Sequence, residues 1–109
     1  MELKNKKVLF LGDSITEGKG ASSPETCYVS VFGKISGAEV KNYGIGGTRI
    51  ARQRRKSVKE RHDKDFLSRV DGMDDNADIV VVFGGTNDFG HGDSTIGTME
   101  SRDEYTFYG

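Results

Sequence analysis

Three short apolar runs stand out along the chain, separated by longer polar stretches rich in glycine. The first, "KVLFL" at residues 7–11, is short, β-branched and aromatic, and predicts a buried strand closed by Gly12. Pro24 predicts the start of a helix over "PETCYVSVFGKIS", residues 24–36. Within it Tyr28, Val31, Phe32 and Ile35 recur at steps of three and four and form the expected apolar face, which Cys27 joins as a small hydrophobe. Residues 38–43, "AEVKNY", predict a shorter strand running into "GIGGT". Residues 49–76 are polar and mostly helical in propensity, with apolar marks at Phe66, Leu67, Val70 and Met73. The strongest strand is "DIVVVFGG", residues 78–85. Its five consecutive apolar residues, Ile79 to Phe83, predict a central strand covered on both faces.

The order strand, helix, strand, helix, strand predicts an α/β fold with parallel pairing and right-handed crossovers. After the third strand come residues 86–109, a long loop and the first turn of another helix, with no fourth strand and no internal repeat. Three short strands and two helices bury only a modest core, and a strand built for cover on both faces should not leave the sheet edge bare. The expectation is therefore an incomplete sheet of about three strands: residues 1–109 as the front portion of one larger domain, or a protomer completing its sheet in a homo-oligomer.

Composition narrows the function classes. The chain has 109 residues, one proline against 15 glycines, and a net charge of -1 from 16 basic and 17 acidic side chains. That balance gives no global pull toward nucleic acid or an anionic membrane. A single cysteine excludes an intrachain disulfide and a cysteine metal site. No stretch approaches the roughly 20 apolar residues of a membrane span, and the N-terminus passes from charges straight into a strand, so a cytoplasmic protein is expected.

Chemistry in an open parallel sheet collects beyond the C-terminal ends of the strands. Each strand here ends in a polar or glycine-rich loop: "GDSITEG", "NYGIGGT" and "GGTND". Parallel topology would carry Ser14, Gly47 and Asn87 to one rim. A serine oxygen can attack an acyl carbon when a base takes its proton. The tetrahedral oxyanion then needs fixed donors, which the Ser14 and Gly47 backbone N–H groups and the Asn87 carboxamide could supply. Glycine at 47 allows close approach of the main chain. Losing one such donor typically costs about 3 kcal/mol of transition-state stabilisation.

These three blocks, in this order and spacing, resemble the first three conserved blocks of the SGNH (GDSL-type) hydrolases, over nearly the whole chain. The resemblance implies a flavodoxin-like three-layer α/β/α sandwich. It also implies hydrolysis of small-molecule esters, thioesters or acetylated sugars through a serine acyl-enzyme. No cofactor is expected, and two separated histidines with scattered carboxylates make no metal signature, just as charge and apolar runs point to neither nucleic acid nor membrane. Ser14 matches the nucleophile, Gly47 and Asn87 the oxyanion donors, and Asp13 the acidic neighbour that holds the loop by hydrogen bonding. The family's late DxxH block, which carries the base histidine and its aspartate, has no counterpart here. Catalysis by these residues alone is expected to be weak or absent, and a non-catalytic binding or assembly module is the alternative.

Blander readings compete at each position. Ser14 could cap a helix, Asn87 could form an Asx turn, and Gly46 rivals Gly47 as the donor if the register slips by one. Asp13 and Asp88 read as loop organisers. His91, four residues past Asn87 and beside Asp93, reads as a solvated loop residue, although it could approach the rim. His62, among charges in "KERHDKD", reads as exposed. The seven basic residues from Arg49 to Arg61 read as a solvated helix face, with an anionic part of the substrate as the lesser possibility. No GxGxxG spacing or Walker lysine supports nucleotide binding.

Overall fold

Three parallel strands organise the computed structural model, which describes residues 2–109. They are β1 (Lys7–Gly12), β2 (Glu39–Gly44) and β3 (Ile79–Phe83), side by side in the order β2-β1-β3. The register sets Val8 opposite Val40 and Ile79, and Gly12 opposite Gly44 and Phe83. All three strands therefore reach the same rim together, as parallel pairing requires of loops that share a site.

Among the described residues, four short α-helices accompany the sheet: α1 (Ser14–Glu17), α2 (Tyr28–Ser36), α3 (Phe66–Val70) and α4 (Thr86–His91). Val8 and Phe10 of β1 project to one face and form the core with Cys27 and Val29, against Tyr28, Phe32, Val40, Ile79 and Val81. Phe10 meets Tyr28 and Phe32 edge-on, with ring centroids 5.7 and 5.4 Å apart. Leu9 and Leu11, on the other face of β1, are equally buried. Each such side chain contributes roughly 1.5–3 kcal/mol of burial free energy. Lys41 and Tyr43 of β2 share that second face, where both hydrogen-bond Asp74.

The structure corrects four expectations. The helix does not run unbroken from Pro24. A single 3₁₀ turn, Pro24–Thr26, is followed by extended backbone at Cys27, and α2 starts at Tyr28. The packed face of α2 is turned by about one residue: Val29 is buried, Phe32 and Tyr28 pack on the core, and Ile35 is 83% exposed. Residues 49–76 are largely irregular, holding only a 3₁₀ turn (Glu60–Asp63) and the five-residue α3. Asp63 accepts the Ser57 N–H and Arg49 donates to the His62 carbonyl, and side-chain bonds of this kind to nearby backbone compete with a helix. Finally, the central strand is β1. β3 lies at the edge with Val80 52% and Val82 58% exposed, because the crossovers place the strands and an apolar run only states what cover a strand can take.

Candidate active site

The first loop is shaped by Asp13. Its buried carboxylate accepts the Ile15 N–H at 3.0 Å and caps α1, so Ser14 is the first helical residue and does not serve as the cap. Ser14 is partly exposed. Below it, the fully buried Thr16 hydrogen-bonds the Tyr28 hydroxyl at 2.7 Å and offers its carbonyl to Asn42 Nδ2 at 2.6 Å. Gly44, at the end of β2, lies so close to α1 that a Cβ there would strike the Glu17 backbone nitrogen. Glycine is needed at this point for α1 to sit on the strand ends.

The second loop follows at once. Gly46 is buried, and a Cβ on it would lie 3.5 Å from Ser14 Cβ and 3.1 Å from a Glu17 carboxylate oxygen. Gly47 has φ +79°, a conformation that favours glycine, and faces the His62 ring. The structure thus sets Gly46 against Ser14 and Gly47 against His62. Asn87, on α4, donates from Nδ2 to the Thr48 carbonyl at 2.9 Å, which ties the third loop to the second. Asp88 ties them again: its two oxygens accept the N–H groups of Ile50 at 2.9 Å and Ala51 at 3.0 Å. Asp93 does the same for Arg54 and Arg55, at 3.0 and 2.9 Å. Backbone N–H bonds of this kind favour the carboxylate form; they hold the Asp93 pKa below the ordinary range against the opposing effect of burial.

Both histidines sit at this rim. His62 is half-buried, which corrects its reading as exposed, and its ring centroid is 5.8 Å from that of His91. Burial, followed by the charges of Arg61 and its neighbours, pushes the His62 pKa down, so the ring is neutral near pH 7. His91 is exposed but engaged: Nε2 is 3.0 Å from Asn87 Oδ1 and Nδ1 is 3.0 Å from Arg49 Nη1. Neither of its ring nitrogens is directed to Ser14.

Two arginines organise the rim, and sequence reading missed both. Arg49 is 4% exposed, which corrects its placement on a solvated helix face; it holds Ser57, the His62 carbonyl and His91. Arg69 reaches from α3 across the strand ends, donating to the Tyr43 carbonyl, to the Gly12 carbonyl at 3.2 Å and to Thr48 Oγ1 at 2.9 Å. The only sequence signal for Arg49 was its place directly after "GIGGT". Arg69 carried none. A cavity of about 390 Å³ opens beside the third loop, walled by Gly85, Phe89, Ile96 and Phe107.

A family model described as GDSL-like Lipase/Acylhydrolase matches residues 10–105. The chain belongs to that family. Among solved structures similar to this GDSL-like chain, one is 36% identical, with a TM-score of 0.80, over 99% of this chain and 48% of the other. A protein from Lactobacillus plantarum is 29% identical, with a TM-score of 0.71, over 96% of this chain and 45% of that one. A carbohydrate acetylesterase family member from Sinorhizobium meliloti is 28% identical, with a TM-score of 0.58, over 77% of this chain and 43% of that one. No curated protein matches significantly. The GDSL-like chain thus spans about half the length of the solved structures it matches. The matched residues contain all three strand-end loops. Among the described residues, no helix is long and apolar enough to cross a membrane.

Proposed function

We propose that this chain supplies the nucleophile and oxyanion hole of a serine ester hydrolase, and that residues 1–109 are the N-terminal portion of a flavodoxin-like three-layer domain. In this reading Ser14 Oγ attacks the acyl carbon, and its proton passes to a base. The backbone N–H groups of Ser14 and Gly47 and the Asn87 carboxamide stabilise the oxyanion. The alcohol leaves, and water then releases the acyl group from Ser14. Asp13 holds the nucleophile loop.

The observation that carries the reading is the common rim. The family match covers three loops that leave adjacent parallel strands at one level, and Thr48 and Asp88 bond the second loop to the third. Asp13, and not Ser14, acts as the helix cap, which leaves the Ser14 hydroxyl free for chemistry. In this reading the base is the histidine of the family's D-x-x-H block, which has no counterpart within residues 1–109; both ring nitrogens of His91 are engaged within the rim. Similarity to a carbohydrate acetylesterase family member favours acetylated carbohydrates among the candidate small esters.

One observation favours a second reading, a non-catalytic binding module: neither histidine has a hydrogen bond that would activate Ser14. Labelling separates the two. An organophosphonate should modify Ser14 covalently in the full-length protein, and Ser14→Ala should abolish the adduct in intact-mass spectra. Undiminished labelling after that substitution would refute the nucleophile assignment. No labelling of the unaltered full-length protein would leave the binding module.

A further inference from the structure

The hydrogen bonds around His91 determine where its proton lies, and through it the orientation of the Asn87 amide. A guanidinium only donates and does not lose its proton. His91 Nδ1, 3.0 Å from Arg49 Nη1, must therefore accept. A neutral imidazole whose Nδ1 accepts carries its hydrogen on Nε2. That hydrogen is directed to Asn87 Oδ1, 3.0 Å away, while Asn87 Nδ2 donates to the Thr48 carbonyl at 2.9 Å. Reversing the carboxamide would oppose two donors at His91 and two acceptors at Thr48. Each end of the amide thus specifies the same orientation.

Arg49 cannot readily turn away from this arrangement. Its Nη1 also donates to the His91 carbonyl at 2.9 Å, and its Nη2 donates to Ser57 Oγ at 2.7 Å and the His62 carbonyl at 3.1 Å. Asp63 Oδ1 lies 3.7 Å from Nη2. The buried Nε has no partner among the described residues. A buried donor left unmet is unfavourable, so the other bonds hold the guanidinium in place in spite of it.

We propose that His91, held as the Nε2–H form by Arg49, is a positioning residue that locks the Asn87 carboxamide with its NH₂ group available to the oxyanion. One Nδ2 hydrogen is committed to Thr48, and the second is the free donor. The proposal rests on the reading of Asn87 as an oxyanion donor. It adds that a histidine next to the catalytic rim serves as an orienting group, with no part in proton transfer.

Long-range ¹H–¹⁵N correlation spectra of the full-length protein at neutral pH should show His91 as a neutral ring protonated at Nε2. Arg49→Met should release that preference toward the mixture of forms found in free imidazole. In ester hydrolysis, His91→Leu should lower kcat about tenfold, the worth of one lost orienting hydrogen bond, with KM changed less than twofold. His91→Gln, which can accept from Arg49 and donate to Asn87, should recover most of the rate. A ring protonated at Nδ1, a charged ring at neutral pH, or an unchanged kcat in His91→Leu would overturn the proposal. Ester hydrolysis that survives Ser14→Ala would instead strike the esterase reading, and the spectra would still test the orientation.

Discussion

At the scale of single residues, the rim depends on polar side chains that bind backbone. Asp13, Asp88 and Asp93 each accept main-chain N–H groups. Arg69 does the complementary work, donating to two strand-end carbonyls and a threonine hydroxyl from a half-buried position. Burial lowers its pKa, but an arginine remains charged at any working pH. The planar fork reaches acceptors on both β1 and β2, and a lysine ammonium lacks that geometry. Arg69→Lys should therefore destabilise the protein by about 2 kcal/mol, the scale of hydrogen bonds to a charged group, read as a lowered urea midpoint. The sequence offered no hint of this residue, since its partners at the rim lie 21 to 57 positions away in the chain.

At the scale of elements, the strands were legible and the helices much less so. The third strand is Ile79–Phe83, the apolar run as written. By contrast, the periodicity over residues 24–36 gave an apolar stripe of which Cys27, Tyr28 and Phe32 meet the core, while Ile35 is turned out and Val29, off the stripe, is buried. A 3.6-residue pattern cannot register a shift of one residue when the helix has only nine. The strands are also held together at the end opposite the rim. Asp74 pairs with Lys7 at the start of β1, at 2.7 Å, and with Lys41 of β2, at 2.6 Å. Hydrogen bonds from Lys41 and then Lys7 lower its pKa from 3.8 to about 2. Because the folded state holds this proton more weakly than the unfolded chain, the contribution is complete above about pH 4 and is lost as pH falls toward 2. Asp74→Asn should remove that part of the pH dependence, so that denaturation midpoints between pH 5 and 2.5 fall less steeply than in the unaltered protein. An identical slope would show that the pair does not couple to folding.

At the scale of the whole molecule, the surface is too large for the mass. The chain exposes 7068 Å², whereas a folded monomer of 12.0 kDa is expected to expose about 6,000 Å². The excess is apolar in part: Val80, Val82 and Phe83 of β3 are about half exposed, and Phe89 is 96% exposed. An exposed apolar face of this kind is a surface that a further layer of chain or a partner would bury; the chain spans about half the length of the solved structures it matches. The 109-residue chain studied by itself should associate in sedimentation and bind an apolar dye, and Val82→Lys should reduce both. A monodisperse monomer that binds no dye would mean that the β3 face needs no cover.

What the residues determined without any coordinates was the strand segments, their parallel pairing, and the three loops that share a rim. Those features follow from local composition and from a topology rule, and both can be read along the chain. What only the tertiary structure decided was which strand lies in the middle, which face of α2 is buried, and how the rim is held. Arg49, Arg69, His62 and His91 owe their roles to partners on other elements. The energy of a hydrogen bond depends on distances and directions that exist only once the chain has folded.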